Sequence, residues 1–229
     1  MNAVAGGGSF VSFPAMVLAG VPPVLANASS TVALFPGGLT SAWTLRRDLG
    51  PIGKTPFAWL IAISTVGGAI GAVLLLTTPP KLFDAVLPWL LLLATVAYAA
   101  GPRLRTLTGL TDTSVTVVLA AQFVVAVYAG YFGGAAGILM MAGWALLTAT
   151  PLIRLNPARS VCINVANAAA MVCFVAVGLV AWHPTLAMMA GAVAGGYLGA
   201  RLARAVRPGM LRAVTIALSA AVTLAFFVR

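Results

Sequence analysis

The sequence predicts an all-α integral membrane protein built from two homologous helical repeats, and three observations carry that prediction. Of its 229 residues 62% are hydrophobic and 7% charged, with a mean hydropathy of +1.08, which leaves too little polar surface to solvate a water-soluble globule. Residues 67 to 86 (GGAIGAVLLLTTPPKLFDAV) align without a gap with residues 195 to 214 (GGYLGARLARAVRPGMLRAV) at a spacing of 128, with 8 of 20 positions identical. Gly67, Gly68, Gly71 and Pro80 meet Gly195, Gly196, Gly199 and Pro208, and at the same spacing Pro56 meets Pro184 and Gly6 meets Gly134. Finally, glycine clusters stand at matching places in the two halves, at 6 to 8 and at 133 to 137. A duplicated hydrophobic unit of this kind implies a membrane transporter whose halves enclose a site near the bilayer midplane.

Taken in order, residues 9 to 20 are apolar but too short to cross a bilayer, which takes about 20 residues, and read as a half-helix after a glycine break. Residues 24 to 45 can span; they carry Asn27, Ser29, Ser30 and Thr31 near one end and a Pro36-Gly37-Gly38 kink in the middle. Residues 57 to 77 and 82 to 100 are cleaner spans joined by the turn Thr78-Pro79-Pro80-Lys81, with Asp84 placed in a first helical turn, where a carboxylate suits the dipole. The polar stretch 101 to 112 divides the halves, giving repeats of 1 to 105 and 106 to 229 within one transporter domain. Residues 113 to 132 follow as a helix with Asp112 as its N-cap. Gly133-Gly134-Ala135-Ala136-Gly137 breaks the pattern and 138 to 150 add a second short apolar piece. Beyond a loop at 151 to 159, spans at 160 to 181, 185 to 205 and 209 to 228 bring the total to about 7 to 9 hydrophobic helical segments.

Charge placement orients the halves. The gap at 46 to 56 holds Arg46, Arg47 and Lys54, whereas its counterpart holds only His183; the gap at 78 to 81 holds Lys81 alone, whereas its counterpart carries Arg201, Arg204, Arg207 and Arg212. Equivalent loops of opposite charge character imply inverted repeats, with 46 to 56, 101 to 112, 151 to 159 and 201 to 212 in the cytoplasm. Residues 113 to 150 then enter from and return to one side, as a re-entrant hairpin broken at Gly133 to Gly137 or as two tilted crossings. A single crossing, which makes the repeats parallel, is the alternative.

Several classes are excluded or disfavoured. The formal charge of +10 comes from 13 basic and 3 acidic residues, but the cations sit in short gaps between apolar runs, which points to topology and lipid headgroups rather than nucleic acid. Cys162 and Cys173 lie 11 residues apart on one helix, roughly 16 Å along its axis, too far for a disulfide. They read as small apolar space-fillers, and with His183 as the single histidine the sequence offers no metal, cofactor or enzyme constellation. VLANA at 24 to 28 resembles a signal-peptidase site, but no positive charge precedes it, Pro14 and Gly20 interrupt the run, and the second half has a counterpart. It reads as mature protein. About 20 apolar residues precede the second glycine cluster but only Met1 to Ala5 precede the first, so either the first arm is absent or the chain starts upstream.

The site chemistry suits an anion. Helices broken within the membrane expose N–H groups and positive dipole ends, and Gly6, Gly7, Gly8, Gly133, Gly134 and Gly137 let an oxyanion approach the backbone closely. Asn27, Ser29, Ser30, Asn164 and Asn167 add neutral donors that can release what they bind. Each also has a packing reading, since Ser and Asn bond neighbouring helices and Gly allows close approach. Arg159 either attracts anions at the cytoplasmic mouth or snorkels to headgroups. The chain has no glutamate and its three aspartates fall in loops or helix ends, which disfavours a proton antiporter built on a buried acid.

The pattern GGGSFVSFPAMVLAGVPP, then ANASSTVALFPGGL and a basic Arg46-Arg47 turn, resembles the sulfite exporter TauE/SafE family of bacterial inner-membrane transporters. Ser29 and Ser30 stand where that family has a Thr-Ser pair, and Pro36-Gly37 where it has Pro-Gly. The second half repeats the theme as GYFGGAAGILMM, with Asn156-Pro157-Ala158-Arg159 leading into a helix that holds Asn164 and Asn167. The resemblance implies a multi-pass protein of the inner membrane, in contact with lipids, that exports small sulfur-containing anions such as sulfite, sulfoacetate or related organosulfonates. An importer or exchanger of another small anion or metabolite, or a non-transporting subunit of a membrane complex, is the alternative. Homo-oligomerisation is left open.

Overall fold

Apolar runs punctuated by proline become helices that proline starts. The computed structural model describes residues 9–104, 112–192 and 208–228. In order these form α1 (Ser9–Leu18), α2 (Pro23–Leu45), a 3-10 turn (Arg46–Asp48), α3 (Phe57–Thr77), α4 (Pro80–Leu104), α5 (Val115–Tyr131), α6 (Ala136–Leu147), α7 (Leu152–Ala176), a helical stretch α8 at 182–192, and α9 (Pro208–Val228). Pro23, Pro80 and Pro208 are the first residues of α2, α4 and α9, and Pro56 and Pro151 cap α3 and α7, positions where a missing N–H costs no hydrogen bond. Phe57–Thr77, Pro80–Ala100 and Ile153–Ala176 are long and apolar enough to cross a membrane. Among the described residues the fold is all-helical, with one isolated Ile52 to Thr55 bridge. Gly6, Gly7 and Gly8, Gly195, Gly196 and Gly199 of the second duplicated segment, and the charges at 201 to 207 lie outside the described residues.

Several boundaries differ from those expected. The segment 151 to 159 is helical rather than a loop, because α7 begins at Leu152 and runs through Pro157. Pro157 leaves the carbonyl of Ile153 without its helical donor, and this is tolerated in a first turn whose Ile153 is exposed. α4 likewise extends through Leu104 into the expected connector, and by starting at Pro80 it puts Asp84 past its first turn. Asp112 is not the N-cap of α5: Ser114 holds that position, while Asp112 Oδ1 accepts a hydrogen bond from the Ala149 N–H at 2.9 Å.

That bond belongs to a set that ties one end of the bundle together. The Thr113 N–H and Oγ1–H both donate to the Leu147 carbonyl, at 3.0 and 2.8 Å, and the Gly53 N–H donates to Thr150 Oγ1 at 2.8 Å. The start of α5 and the end of α6 therefore meet, so residues 113 to 148 form a helical hairpin that leaves and re-enters the same face. Residues 113 to 150 are therefore not one continuous helix. Its arms of 17 and 12 residues are roughly 25 and 18 Å long, both short of a hydrocarbon core of about 30 Å. The same face carries the exposed Arg46, Arg47, Lys54 and Arg154, with the Arg46 guanidinium 3.5 Å over the Trp43 ring, a pairing suited to a headgroup boundary.

Close backbone contact holds the hairpin in place. The most extensive helix contacts are those of α3 with α5 and with α7. A Cβ on Gly67 would stand 2.6 Å from that of Ala126; one on Gly71 would meet the Val127 carbonyl, one on Gly130 the Gly68 carbonyl, and one on Gly68 the Ala166 backbone. Without a hydrophobic drive between helices in lipid, such close approach is how membrane helices associate. The glycines of the first duplicated segment are therefore packing residues.

Two further crossings pair the halves. Thr95 on α4 and Thr223 on α9 share a hydrogen bond at 3.2 Å, 128 residues apart, and six residues before Thr95 the Trp89 ring packs edge-on at 5.3 Å against Phe227, four residues after Thr223. The two helices thus run antiparallel. α2 and α7 do the same: Ser29 bonds Ala181 beyond the end of α7, whereas Gly38, nine residues on, meets Asn164.

Replacing Gly71 with Ala should destabilise the bundle by about 1 to 3 kcal/mol through overpacking, read as a lower melting midpoint in detergent. Gly37→Ala, which meets no atom within 4 Å, should leave the midpoint unchanged or raise it.

Candidate functional site

The break in the hairpin is built by backbone geometry. α5 ends at Tyr131, Gly133 has φ +80, and Ala135 at φ 55 caps α6 in the left-handed region, which costs an alanine roughly 1 to 2 kcal/mol. Irregular backbone at membrane depth survives only where protein satisfies it. Here Asn27 Nδ2 donates to the Tyr131 carbonyl at 2.8 Å, and the Tyr128 hydroxyl to the Gly134 carbonyl at 2.7 Å. Phe13 and Tyr128 both meet Phe132 edge to face, with centroids 6.0 and 6.2 Å away.

The expected site residues fall at two levels rather than one. Asn27, Ser29 and Ser30 lie in the first third of α2, all buried, and each is engaged: Asn27 on the Tyr131 carbonyl, Ser29 Oγ accepting the Ala181 N–H at 2.9 Å, and Ser30 sharing a hydroxyl–hydroxyl bond with Ser12. Gly133 and Gly134 stand beside this level at the hairpin tip. The second level holds Arg159, Gly137 and Asn164. Asn164 Nδ2 donates to the Ser160 carbonyl at 2.7 Å and its amide oxygen lies where a Cβ on Gly38 would be. Asn167 is half-buried one turn further along α7. Along α2, Ser29 and Gly38 are nine residues apart, about 14 Å, so the serines and Asn164 do not share one pocket.

Arg159 is the side chain around which the second level is built. It is 7% exposed, so it does not snorkel to headgroups. A Cβ on Gly137 would stand 3.4 Å from its Cδ and from its Nη1, which puts the guanidinium against the first turn of α6. There the positive dipole end of a helix that starts inside the bundle adds to a fixed positive charge, although the Ala136, Ile138 and Leu139 N–H groups already donate to the Gly133 and Ala135 carbonyls.

A profile described as "Sulfite exporter TauE/SafE" matches residues 1–226. The chain belongs to the sulfite exporter TauE/SafE family. A "Probable membrane transporter protein" of Haemophilus influenzae is 26% identical to it over 223 residues, covering 96% of this chain and 86% of the relative. "Probable membrane transporter protein ORF9" of a Sinorhizobium species is 25% identical over 229 residues, covering 98% and 86%. "Probable membrane transporter protein YfcA" of Escherichia coli is 26% identical over 233 residues, covering 96% and 82%. No solved structure matches the chain significantly. The protein is a multi-pass membrane transporter and not an enzyme.

Within this TauE/SafE transporter, some polar residues of the interior were not foreseen. Tyr128, Ser12 and Ser64 were hidden in apolar runs, where aromatic and small polar residues read as filler. Gln122 carried a signal, because an amide in the middle of VVLAAQFVVA is costly in lipid and needs a partner. It is 1% exposed and its Nε2 donates to Ser64 Oγ at 2.7 Å, with Met140 Sδ at 3.7 Å. The two cysteines are free thiols, Cys162 buried and Cys173 partly so.

Proposed function

We propose that this transporter moves small sulfur-containing oxyanions, such as sulfite, sulfoacetate or related organosulfonates, out of the cell across a bacterial inner membrane. The observation that carries the reading is the buried Arg159 against the first turn of α6, inside a bundle of a family described by sulfite export. Arg159 is the anion's principal partner and the positive dipole end of α6 completes its seat. Gly137 keeps the corner open by bringing no side chain to it. Asn164 and Asn167, on the same helix, act as neutral donors along the route, while Asn27, Ser29 and Ser30 shape the hairpin tip and the neighbouring packing. An anion leaving a negative interior gains about 2.3 kcal/mol per charge per 100 mV, equivalent to a gradient of roughly fiftyfold, so the potential alone can drive export.

Alternating access follows from relative motion of two inverted repeats, 1 to 105 and 106 to 229. The Thr95 to Thr223 bond supports this arrangement. The two threonines are equivalent positions at the 128-residue spacing, and in a two-fold arrangement only residues at the axis touch their own mates. Because the helices that carry them cross antiparallel, such an axis lies across the helices, as inversion requires. The basic face of the bundle, with its tied loops, is the cytoplasmic one by the positive-inside tendency.

In proteoliposomes with a potassium-diffusion potential and no pH gradient, sulfite efflux should fall by about tenfold or more in folded Arg159→Gln, a loss of roughly 1.4 kcal/mol or more, with Arg159→Lys in between. Undiminished efflux from Arg159→Gln would refute the assigned seat. With Cys162 and Cys173 replaced by Ala, a Thr95→Cys/Thr223→Cys pair should oxidise nearly completely and keep efflux within about twofold, since an axial contact maps onto itself in both end states. Efflux lost on oxidation and restored by reduction would contradict an axis at that position.

A further inference from the structure

Thr55 Oγ1, Gln122 Oε1 and Trp144 Nε1 are buried without hydrogen-bond partners. Each belongs to a residue at most 1% exposed, and in a medium without water each such group costs several kcal/mol. They are not scattered. Trp144 sits in an apolar cluster with Ile52, Leu60, Met140 and Cys162. Thr55 is paired with Ile52 of that cluster through two backbone bonds at 2.9 and 3.1 Å. Gln122 enters it from α5 by way of Ser64 and Met140. The three groups follow one another from the tied loops inward: Thr55 in the loop before α3, Trp144 one turn from the end of α6, and Gln122 beside Met140. One turn beyond Met140, Gly137 meets Arg159.

The hairpin's other end provides the contrast. Around its tip Asn27, Ser12, Ser29, Ser30 and Tyr128 all have partners. A wall meant only for packing would be satisfied in the same way, or would be apolar. Groups of both kinds, donors on Thr55 and Trp144 and an acceptor on Gln122, fit a guest that both accepts and donates, which a hydrated oxyanion does through its own oxygens and its water.

We propose that Thr55, Trp144 and Gln122 line a collapsed access route from the loop face to Arg159, closed here by α6 and taken up by water and a small oxyanion when α6 moves away from α7 while the glycine seam of α3, α5 and α7 stays closed. The inference rests on the reading of Arg159 as the anion's seat and adds the path that feeds it. The route is selective through the positive charge at its inner end, so anionic solutes should enter it faster than cations of the same size.

Single cysteines at Thr55, Gln122 and Trp144, in protein with Cys162 and Cys173 replaced by Ala, test this in sealed vesicles of either orientation. The probes are two membrane-impermeant methanethiosulfonates, one bearing an ethylsulfonate and one a quaternary ammonium. All three positions should react from the loop face only. Relative to each reagent's rate with a small thiol, the sulfonate should react roughly tenfold faster than the ammonium, and Arg159→Gln should remove that preference. Leu87→Cys in the apolar core, and Val124→Cys on the outer face, should stay unmodified. The proposal is overturned if Gln122→Cys and Trp144→Cys stay unlabelled while Ser114→Cys, exposed at the loop face, reacts to completion, or if Thr55→Cys alone reacts. Thr55→Cys and Gln122→Cys remove no large side chain, so folding does not hinge on the Trp144 variant. Labelling requires no sulfite transport: a route that labels in protein without sulfite flux contradicts the substrate, whereas sulfite flux without labelling contradicts the route.

Discussion

The arrangement depends on one constraint, the near-contact of backbones among α3, α5 and α7. Gly67, Gly68, Gly71 and Gly130 leave no room for a side chain where these helices cross, and dispersion over that seam replaces the hydrophobic drive that lipid does not supply. Because α5 is held there, the hairpin can return to its starting face without a full crossing, and its break stays inside the bundle. The position of α6, the facing of its first turn toward α7, and the burial of Arg159 all follow from that anchoring.

A second requirement is satisfaction of the break itself. The left-handed Gly133 and Ala135 free carbonyls that cannot be answered by a helix, and Asn27 and Tyr128 answer those of Tyr131 and Gly134. This assigns different work to side chains that looked alike in the sequence. The polar residues of α2 are engaged in holding the hairpin tip and the end of α7, so their donors are committed to the protein. Arg159, by its position, lies against the first turn of α6 at Gly137.

Much of the helical order was legible because lipid enforces long apolar runs. Phe57–Thr77 emerged with the expected ends, since Pro56 and the Thr78-Pro79-Pro80 turn fix both. The break at Gly133 was readable from glycine alone, and the return of the hairpin to one face from the placement of basic loops. The start of α7 was not, because Asn156-Pro157 reads locally as a stop although Pro151 begins a helix that runs through it. The split of the candidate site into two levels was equally hidden. Sequence places Ser29 and Asn164 each near the middle of the chain's polar motifs, but only the antiparallel crossing of α2 and α7 sets their depths apart. Gln122 and Trp144 were overlooked because an amide or indole in an apolar run signals the need for a partner without naming one.

The most direct test of the account is whether sulfite stabilises the folded protein through Arg159. A ligand that binds only the folded state raises the melting midpoint by mass action, so millimolar sulfite should raise the midpoint of the purified protein in detergent, and chloride at equal ionic strength should not. In Arg159→Gln the sulfite shift should disappear while the midpoint without sulfite remains measurable. An equal sulfite shift in both proteins, or none in the unmodified chain, would contradict an anion seat at the start of α6.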